Sequence, residues 1–391
     1  MKKSKIIRTS TVPQSLNGLL KGQLKFLNSF FEVIALSGYN EKLEEVKNRE
    51  GVRIIDVSME RRISPIKDFV SLIRLIKVFM RERPLIVHSI TPKAGLLTML
   101  AGKIVGVPIR IHTFTGLIFP SRIGLMQKLL IKMDQLLCWA ATNIYPEGNG
   151  VKNDLVKYNI TSKPLKVLAN GNINGIDLDH FSLDSLKISE LNQLKSSLGI
   201  TPDDFVYVFV GRLVGDKGIN ELVKAFNYLC NETSNVKLIL VGPLEEKLDP
   251  LEEDTLKLMK ENFNILCVGF QKDVRPYFAI SDLLVFPSYR EGFPNVVMQA
   301  GAMNLPSIVS NINGCNEIIE EGINGKIIPV KSVEAIKEVM FKLLSDKDYY
   351  NQLKKNSRRM IVERYEQDLV WDTVLNEYNS LINEYKKTKK I

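Results

Sequence analysis

Only four of the 391 residues are cysteine and only three are histidine. Cys138, Cys230, Cys267 and Cys315 are scattered, with no Cys-x-x-Cys pair, which excludes a disulfide framework and a zinc ribbon. His88, His112 and His180 do not have the spacing of a ligand set, so no metal is expected. No charge-free apolar run reaches the roughly 18 residues needed to span a bilayer. The basic start Met1-Lys2-Lys3-Ser4-Lys5 leads into Thr9-Ser10-Thr11-Val12-Pro13, where a signal peptide would need its apolar core; a cytoplasmic location is expected. Helix-turn-helix, zinc-finger and RNA-binding signatures are absent, so nucleic acid is not an expected partner. No repeat of solenoid length is present.

The chain is too long for one ordinary core, so two domains are the prior. Its 45% hydrophobic and 25% charged content is that of a soluble globular protein. Charge is uneven: residues 1–145 carry a net +13 and the remainder −4. The first half is therefore suited to an acidic partner such as an anionic membrane surface. Strand-like and helix-like segments alternate, which predicts parallel sheets covered by helices. Strands are expected at 5–9, 31–36, 52–57, 85–89 and 110–114, then at 205–210, 236–241, 265–268, 283–286 and 307–309. A helix over 68–80 carries Arg74, Lys77 and Arg81 on one face. An Asn/Gly/Asp/Ser-rich stretch separates a first domain, 1–180, from a second, 181–368. A final apolar-faced helix, about 369–391, is expected to return to the first domain. The fold class is α/β, with two doubly wound, Rossmann-like domains.

Two segments carry the chemistry. Pro287-Ser288-Tyr289-Arg290-Glu291-Gly292-Phe293-Pro294-Asn295-Val296-Val297-Met298-Gln299-Ala300 follows an apolar strand. It places Glu291 at the carboxyl end of that strand and beside a helix N-terminus, where open α/β sheets bind ligands and free amides favour phosphate. Val210-Gly211-Arg212-Leu213-Val214-Gly215-Asp216-Lys217-Gly218 places two cations on a glycine-rich strand-to-helix loop. Such a pair can grip a diphosphate, Arg212 as a fork and Lys217 as a mobile point charge. This loop matches neither Gly-x-Gly-x-x-Gly nor a P-loop, which argues against dinucleotide binding and ATP hydrolysis.

In order along the chain, Gly211-Arg212, Lys217-Gly218, Glu291-Gly292-Phe293-Pro294, Gln299-Ala300, Gly314-Cys315-Asn316-Glu317 and Gly322-Ile323-Asn324-Gly325 resemble the family-four retaining glycosyltransferases of the GT-B fold. His88-Ser89-Ile90-Thr91-Pro92-Lys93-Ala94-Gly95 and His112-Thr113-Phe114-Thr115-Gly116 resemble members that build bacterial surface polysaccharides such as capsule, O-antigen and lipopolysaccharide. The resemblance implies two domains facing across a cleft, a nucleotide-sugar donor (UDP-linked in such members), and no metal or other cofactor. It implies an undecaprenyl-diphosphate-linked or other glycan acceptor, and a peripheral position on the inner face of the plasma membrane.

By the same resemblance, Arg212 and Lys217 would neutralise the donor diphosphate and Glu291 would bind hydroxyls of the transferred sugar. Gly211 and the backbone N–H groups near Pro294, Asn295 and Val296, at the helix start, would meet the phosphates. His112 would face the cleft and touch the donor sugar. Gly18, in a loop after the first strand, would allow close approach of the donor, and His88 and Lys93 are acceptor-side candidates. The family carries glutamate eight residues after its first; here Gln299 stands in that place. An amide offers one acceptor and an NH₂ donor where a carboxylate accepts from both ribose hydroxyls, so the site is retuned. Segment 121–145 combines apolar residues with Arg122, Lys128 and Lys132, suited to a membrane surface or simply to packing on the sheet. A nucleotide-sugar 2-epimerase or phosphorylase of the same architecture, and a non-catalytic sugar-nucleotide-binding partner, remain as alternatives.

Overall fold

The computed structural model describes residues 3–245, 247 and 249–389. It divides into two compact units, Met1–Gly175 with Gln367–Ile391, and Ile176–Glu366. With 31 Lys/Arg against 16 Asp/Glu the first carries a net +15; with 22 against 28 the second carries −6.

The first unit contains β1 (Lys5–Thr9), β2 (Glu32–Ser37), β3 (Arg53–Asp56), β4 (Ile86–Ser89), β5 (Ile109–Phe114) and β6 (Asn143–Pro146). All pair in parallel, in the order β3-β2-β1-β4-β5-β6. The second contains β7 (Phe205–Val210), β8 (Val236–Val241), β9 (Ile265–Gly269), β10 (Leu283–Phe286), β11 (Ser307–Ser310) and β12 (Gly325–Ile328). Its order, β12-β11-β10-β7-β8-β9, is the same winding. In each sheet the order reverses once, between β1 and β4 and between β7 and β10. A crevice opens at such a switch point, outside the carboxyl ends of the strands.

The central strands are apolar almost without interruption, as strands covered on both faces must be. Phe-Val-Tyr-Val-Phe-Val of β7 and Leu-Leu-Val-Phe of β10 lie in one buried cluster with Leu222, Phe226, Val297 and Met298. The sequence pattern misses β6 and β12, both four-residue strands at sheet edges.

The predicted loop after β1 is helical instead. Pro13–Leu19 and Gln23–Phe30 form two helices, and Leu16, Leu20, Leu24 and Leu27 are fully buried. Pro13 favours this start, because its fixed φ suits the first helical turn. The final helix, Gln367–Thr388, belongs to the first unit. Its Val374, Tyr378, Leu381 and Ile382 enter the cluster that holds those leucines. Trp371 Nε1 donates to Asn174 Oδ1 at 2.9 Å, fixing the beginning of this helix.

Candidate functional site

In the second unit three loops meet at the carboxyl ends of β7, β10 and β11. Gly218, at φ +72°, sits so close to β10 that an added Cβ would lie 2.2 Å from the Pro287 carbonyl oxygen. Gly314, at φ +75°, is equally tight against the Gly292 carbonyl, 2.3 Å from where its Cβ would be. Only glycine reconciles these backbone conformations with these approaches. They bring the Gly211–Gly218 loop against the Ser288–Pro294 loop. Lys217 Nζ is thereby ion-paired with Glu291 Oε1, across 74 residues of sequence. Their side chains are 17% and 16% exposed, largely shielded but still reachable.

The same Glu291 oxygen accepts from Ser288 Oγ at 2.9 Å, and Ser288 is fully buried. Ser288 was not singled out from sequence, although its place three residues before Glu291 on a tight loop was the available signal. Lys217 Nζ also lies 5.6 Å from the centre of the Phe286 ring. Beside the pair, Cys315 is wholly buried. Burial first, and then the Glu291 charge, push its pKa well up, so it stays a thiol.

Arg212 is not brought to this pair. Its Nη1 lies 2.5 Å from Glu245 Oε2 and its side chain is half exposed. The geometry therefore supplies one cation at the switch point and a second engaged at its margin. Helix Asn295–Ala302 begins after Pro294, which gives no side-chain cap, and the positive end of its dipole lies at this start. Gln299, half-buried, lies one turn along it.

The first-unit candidates are placed differently. Gly18 lies inside helix Pro13–Leu19 with nothing within 4 Å of an added Cβ, so no close approach calls for glycine there. His112 lies within β5, which runs on to Phe114, rather than in a turn after it. Its ring is buried: Nδ1 is 2.8 Å from Ser89 Oγ, and Phe114 packs edge-on at 4.5 Å. Burial lowers its pKa to about 3, and Nε2 has no hydrogen-bond partner among the described residues. Strand alternation sends this side chain into the helix layer beside Gly95, whose added Cβ would lie 2.5 Å from the imidazole.

His88 is likewise inside β4. Nδ1 meets Tyr378 Oη at 2.5 Å and Nε2 meets Thr113 Oγ1 at 2.8 Å. Burial, with the charge of Arg8 second, lowers its pKa well below the usual value. Lys93 is buried too, donating to Arg62 O at 2.9 Å and paired with Asp68. His88 and Lys93, the acceptor-side candidates, are thus held inside the unit, and His112, the donor-side candidate, is buried with them.

What the first unit does present is a cavity of about 640 Å³ on the β1, β2 and β3 side of its sheet. Thr11, Tyr39, Asn40, Arg61, Lys67 and Arg74 are among its walls.

The family described as glycosyl transferases group 1 matches residues 192–360, and the family described as glycosyl transferase 4-like matches residues 17–147. The capsular polysaccharide biosynthesis glycosyltransferase CapM of Staphylococcus aureus is 31% identical over 386 residues, 98% of this chain and 99% of that one. This chain belongs to the group 1 glycosyltransferases. An Escherichia coli relative, named UDP-Gal:alpha-D-GlcNAc-diphosphoundecaprenol alpha-1,3-galactosyltransferase, is 29% identical over 81% of this chain and 83% of its own. Among solved structures, a glycosyltransferase of Rickettsia africae has a TM-score of 0.81 at 18% identity, over 98% of this chain and 99% of that one. Anabaena HepE in complex with UDP has 0.80 at 16%, over 97% and 100%. At such identity these two establish the fold. The switch-point residues of the second unit fall inside the group 1 match, so this glycosyltransferase keeps its Lys217–Glu291 pair in the part of the chain that defines the family.

Proposed function

We propose that this glycosyltransferase moves a hexosyl or N-acetylhexosaminyl group from a nucleoside-diphosphate sugar, UDP-linked, to a lipid-diphosphate-linked saccharide during surface-polysaccharide assembly. The observation that carries the donor half is the Lys217–Glu291 pair at the switch point of the second sheet, beside the start of helix Asn295–Ala302. A cation and helix amides suit a diphosphate, and a carboxylate suits sugar hydroxyls. The names of two relatives support the acceptor half, one a capsule enzyme and one acting on a diphosphoundecaprenol-linked sugar. HepE, solved with UDP and with UDP-glucose, supports the uridine nucleotide.

In this reading Lys217 turns from Glu291 to the diphosphate as the donor enters, joined by Arg212 released from Glu245. Glu291, held by Ser288, takes a hydroxyl of the transferred sugar, and Gln299 bridges the ribose hydroxyls. The bond from the anomeric carbon to the diphosphate oxygen breaks and a bond to the acceptor hydroxyl oxygen forms on the same face. The acceptor proton passes to the departing diphosphate, whose charge Lys217 and Arg212 stabilise without a metal. Configuration at the anomeric carbon is then retained, and no enzyme nucleophile is required. Among the described residues no helix is long and apolar enough to cross a membrane. A peripheral position at the cytoplasmic face agrees with the +15 first unit.

Calorimetric titration with UDP, GDP, ADP and NAD⁺, repeated on Arg212→Ala/Lys217→Ala, tests the donor half. Selective binding of UDP that the double variant loses is expected. Equal binding of all four, or binding unchanged in the variant, refutes it.

A further inference from the structure

The cationic cavity of the first unit has an apolar neighbour. A slot of about 70 Å³ runs between the loop before helix Pro65–Glu82, the start of helix Pro92–Val105 and the face of helix Gly124–Ala140. Ile63, Leu96, Phe114, Leu117, Leu130 and Met133 make most of its wall apolar, with Asp134 and the Asp68-paired Lys93 as the polar exceptions besides Arg61. Arg61 lines both spaces. On one side of this arginine lies the roomy cavity with Arg74 and with Lys67, which pairs with Glu60 at 2.7 Å; on the other lies the narrow slot.

The loop carrying Arg61 is held from beneath. Lys93 Nζ donates to Arg62 O, pairs with Asp68, and is itself only 7% exposed. Asp68 Oδ2 in turn accepts from Ser64 N at 3.2 Å. Lys93 is thus spent on positioning the loop, and Arg61, exposed, is the cation that remains at the junction.

We propose that these two spaces form one site for an amphiphile, with phosphate at Arg61, its polar head in the cavity of Lys67 and Arg74, and the first part of its hydrocarbon chain in the Ile63–Leu130 slot. The complementarity is twofold. A guanidinium at the boundary matches a phosphate or diphosphate bidentately, and a chain-width apolar slot excludes sugars and water from the other side. The exposed apolar residues Ile63 and Ile118 border the slot, and Ile123 and Leu125 continue outward at 90% and 85% exposure. The rest of a long chain can therefore leave over an apolar surface. The occupant is a prenyl diphosphate, the anchor that the proposed acceptor would carry; the assignment rests on that functional reading.

The test is calorimetric binding of farnesyl diphosphate, inorganic diphosphate and farnesol to the full chain, with UDP titrated in parallel. Farnesyl diphosphate is expected to bind at least tenfold more tightly than either fragment. Arg61→Ala and Ile63→Asp, both at exposed positions where folding is not at risk, should each weaken it at least tenfold. Arg61→Ala should weaken inorganic diphosphate as well. Farnesyl diphosphate binding no better than inorganic diphosphate, or unaffected by both variants, overturns the assignment. If UDP binds and farnesyl diphosphate does not, this site falls and the donor reading stands. If farnesyl diphosphate binds as expected and UDP does not, the site stands and the donor reading falls.

Discussion

Glu291→Gln should tighten UDP while crippling transfer, two effects of opposite sign from one substitution. Before a donor arrives Lys217 is engaged by Glu291, and the pair is about five-sixths buried. A diphosphate must take the ammonium from that carboxylate and then sit near the carboxylate's charge. Exposed pairs contribute up to about 1 kcal/mol, and breaking buried ones costs about 3–5 kcal/mol. A pair of intermediate burial resists the exchange by roughly 1–2 kcal/mol. The neutral amide of the variant would release Lys217 at no such cost, so UDP affinity should rise roughly five- to thirtyfold.

UDP carries no sugar, so it loses nothing in exchange. The intact donor does. A hydrogen bond to a charged group is worth about 1.5–3 kcal/mol, and its loss should lower kcat/KM by roughly 10- to 150-fold. Ser288 Oγ can still donate to the amide oxygen, so the loop should keep its shape and the melting temperature should move little. Calorimetry with UDP, steady-state kinetics with the sugar donor and a thermal melt read the three quantities. If UDP affinity falls together with kcat/KM, Glu291 is needed to hold Lys217 in place and the competition argument is wrong. If UDP affinity is unchanged, the ion pair contributes nothing to the binding step.

Three further outcomes are expected. Gln299→Glu should leave transfer intact or improve donor affinity, because it restores a charged acceptor for ribose; a tenfold or worse loss in kcat/KM would show that the amide is required. Tyr378→Phe removes the hydroxyl that meets His88 and Arg8, and should cost about 2 kcal/mol, lowering the first unit's melting temperature by roughly 4–8 °C; an unchanged melt would mean that packing alone seats the final helix. Asp134, half-buried along the apolar slot, has its pKa raised to about 7 by burial. The native carboxyl therefore keeps its proton where the unfolded one, near ~3.9, has lost it. Stability should fall as pH rises from about 4 to about 7 and stay low above. Asp134→Asn should then gain roughly 1–2 kcal/mol in urea melts at pH 8 and nothing at pH 4, and an equal gain at both would remove the carboxyl as the cause.

The second unit was the more legible half because its signals are local. Phe205–Val210 and Leu283–Phe286 are unbroken apolar runs, and a parallel strand buried on both faces can hardly read otherwise. The place of Glu291 followed from the strand before it and the helix after it. Its contact with Lys217, across 74 residues, was not read: the sequence pointed both residues at a donor and not at each other. The Arg212–Glu245 pair was not, because it depends on which neighbouring loop happens to offer a carboxylate. In the first unit, polar residues misled. His112 reads as a residue facing the cleft, yet within β5 its side chain is buried and its ring is held neutral. Gly18 reads as a turn, yet it lies in helix Pro13–Leu19, which Pro13 starts and buried Leu16 seats. The Arg61 junction needs three separate segments to converge, and no local pattern announces that.

The two sheets share one winding, and they use its switch point in opposite ways. Between β7 and β10 the loops are pinned by glycine contacts that leave the Lys217–Glu291 pair accessible beside the start of the next helix. Between β1 and β4 the corresponding crevice is filled. Thr11 N donates to Thr91 Oγ1 at 2.8 Å, the two hydroxyls meet at 2.8 Å, and Thr11 Oγ1 accepts from Ala94 N at 3.1 Å. That last bond satisfies an amide in the first turn of helix Pro92–Val105, so a phosphate arriving there would have to displace a hydroxyl already in place. The first unit's large cavity is accordingly found to one side, where Arg61, Lys67 and Arg74 supply the positive charge that the blocked helix start does not. On the two proposed readings, one topology carries two kinds of anion site. One is built on backbone amides and a lysine at the switch point, and the other on side-chain cations beside it.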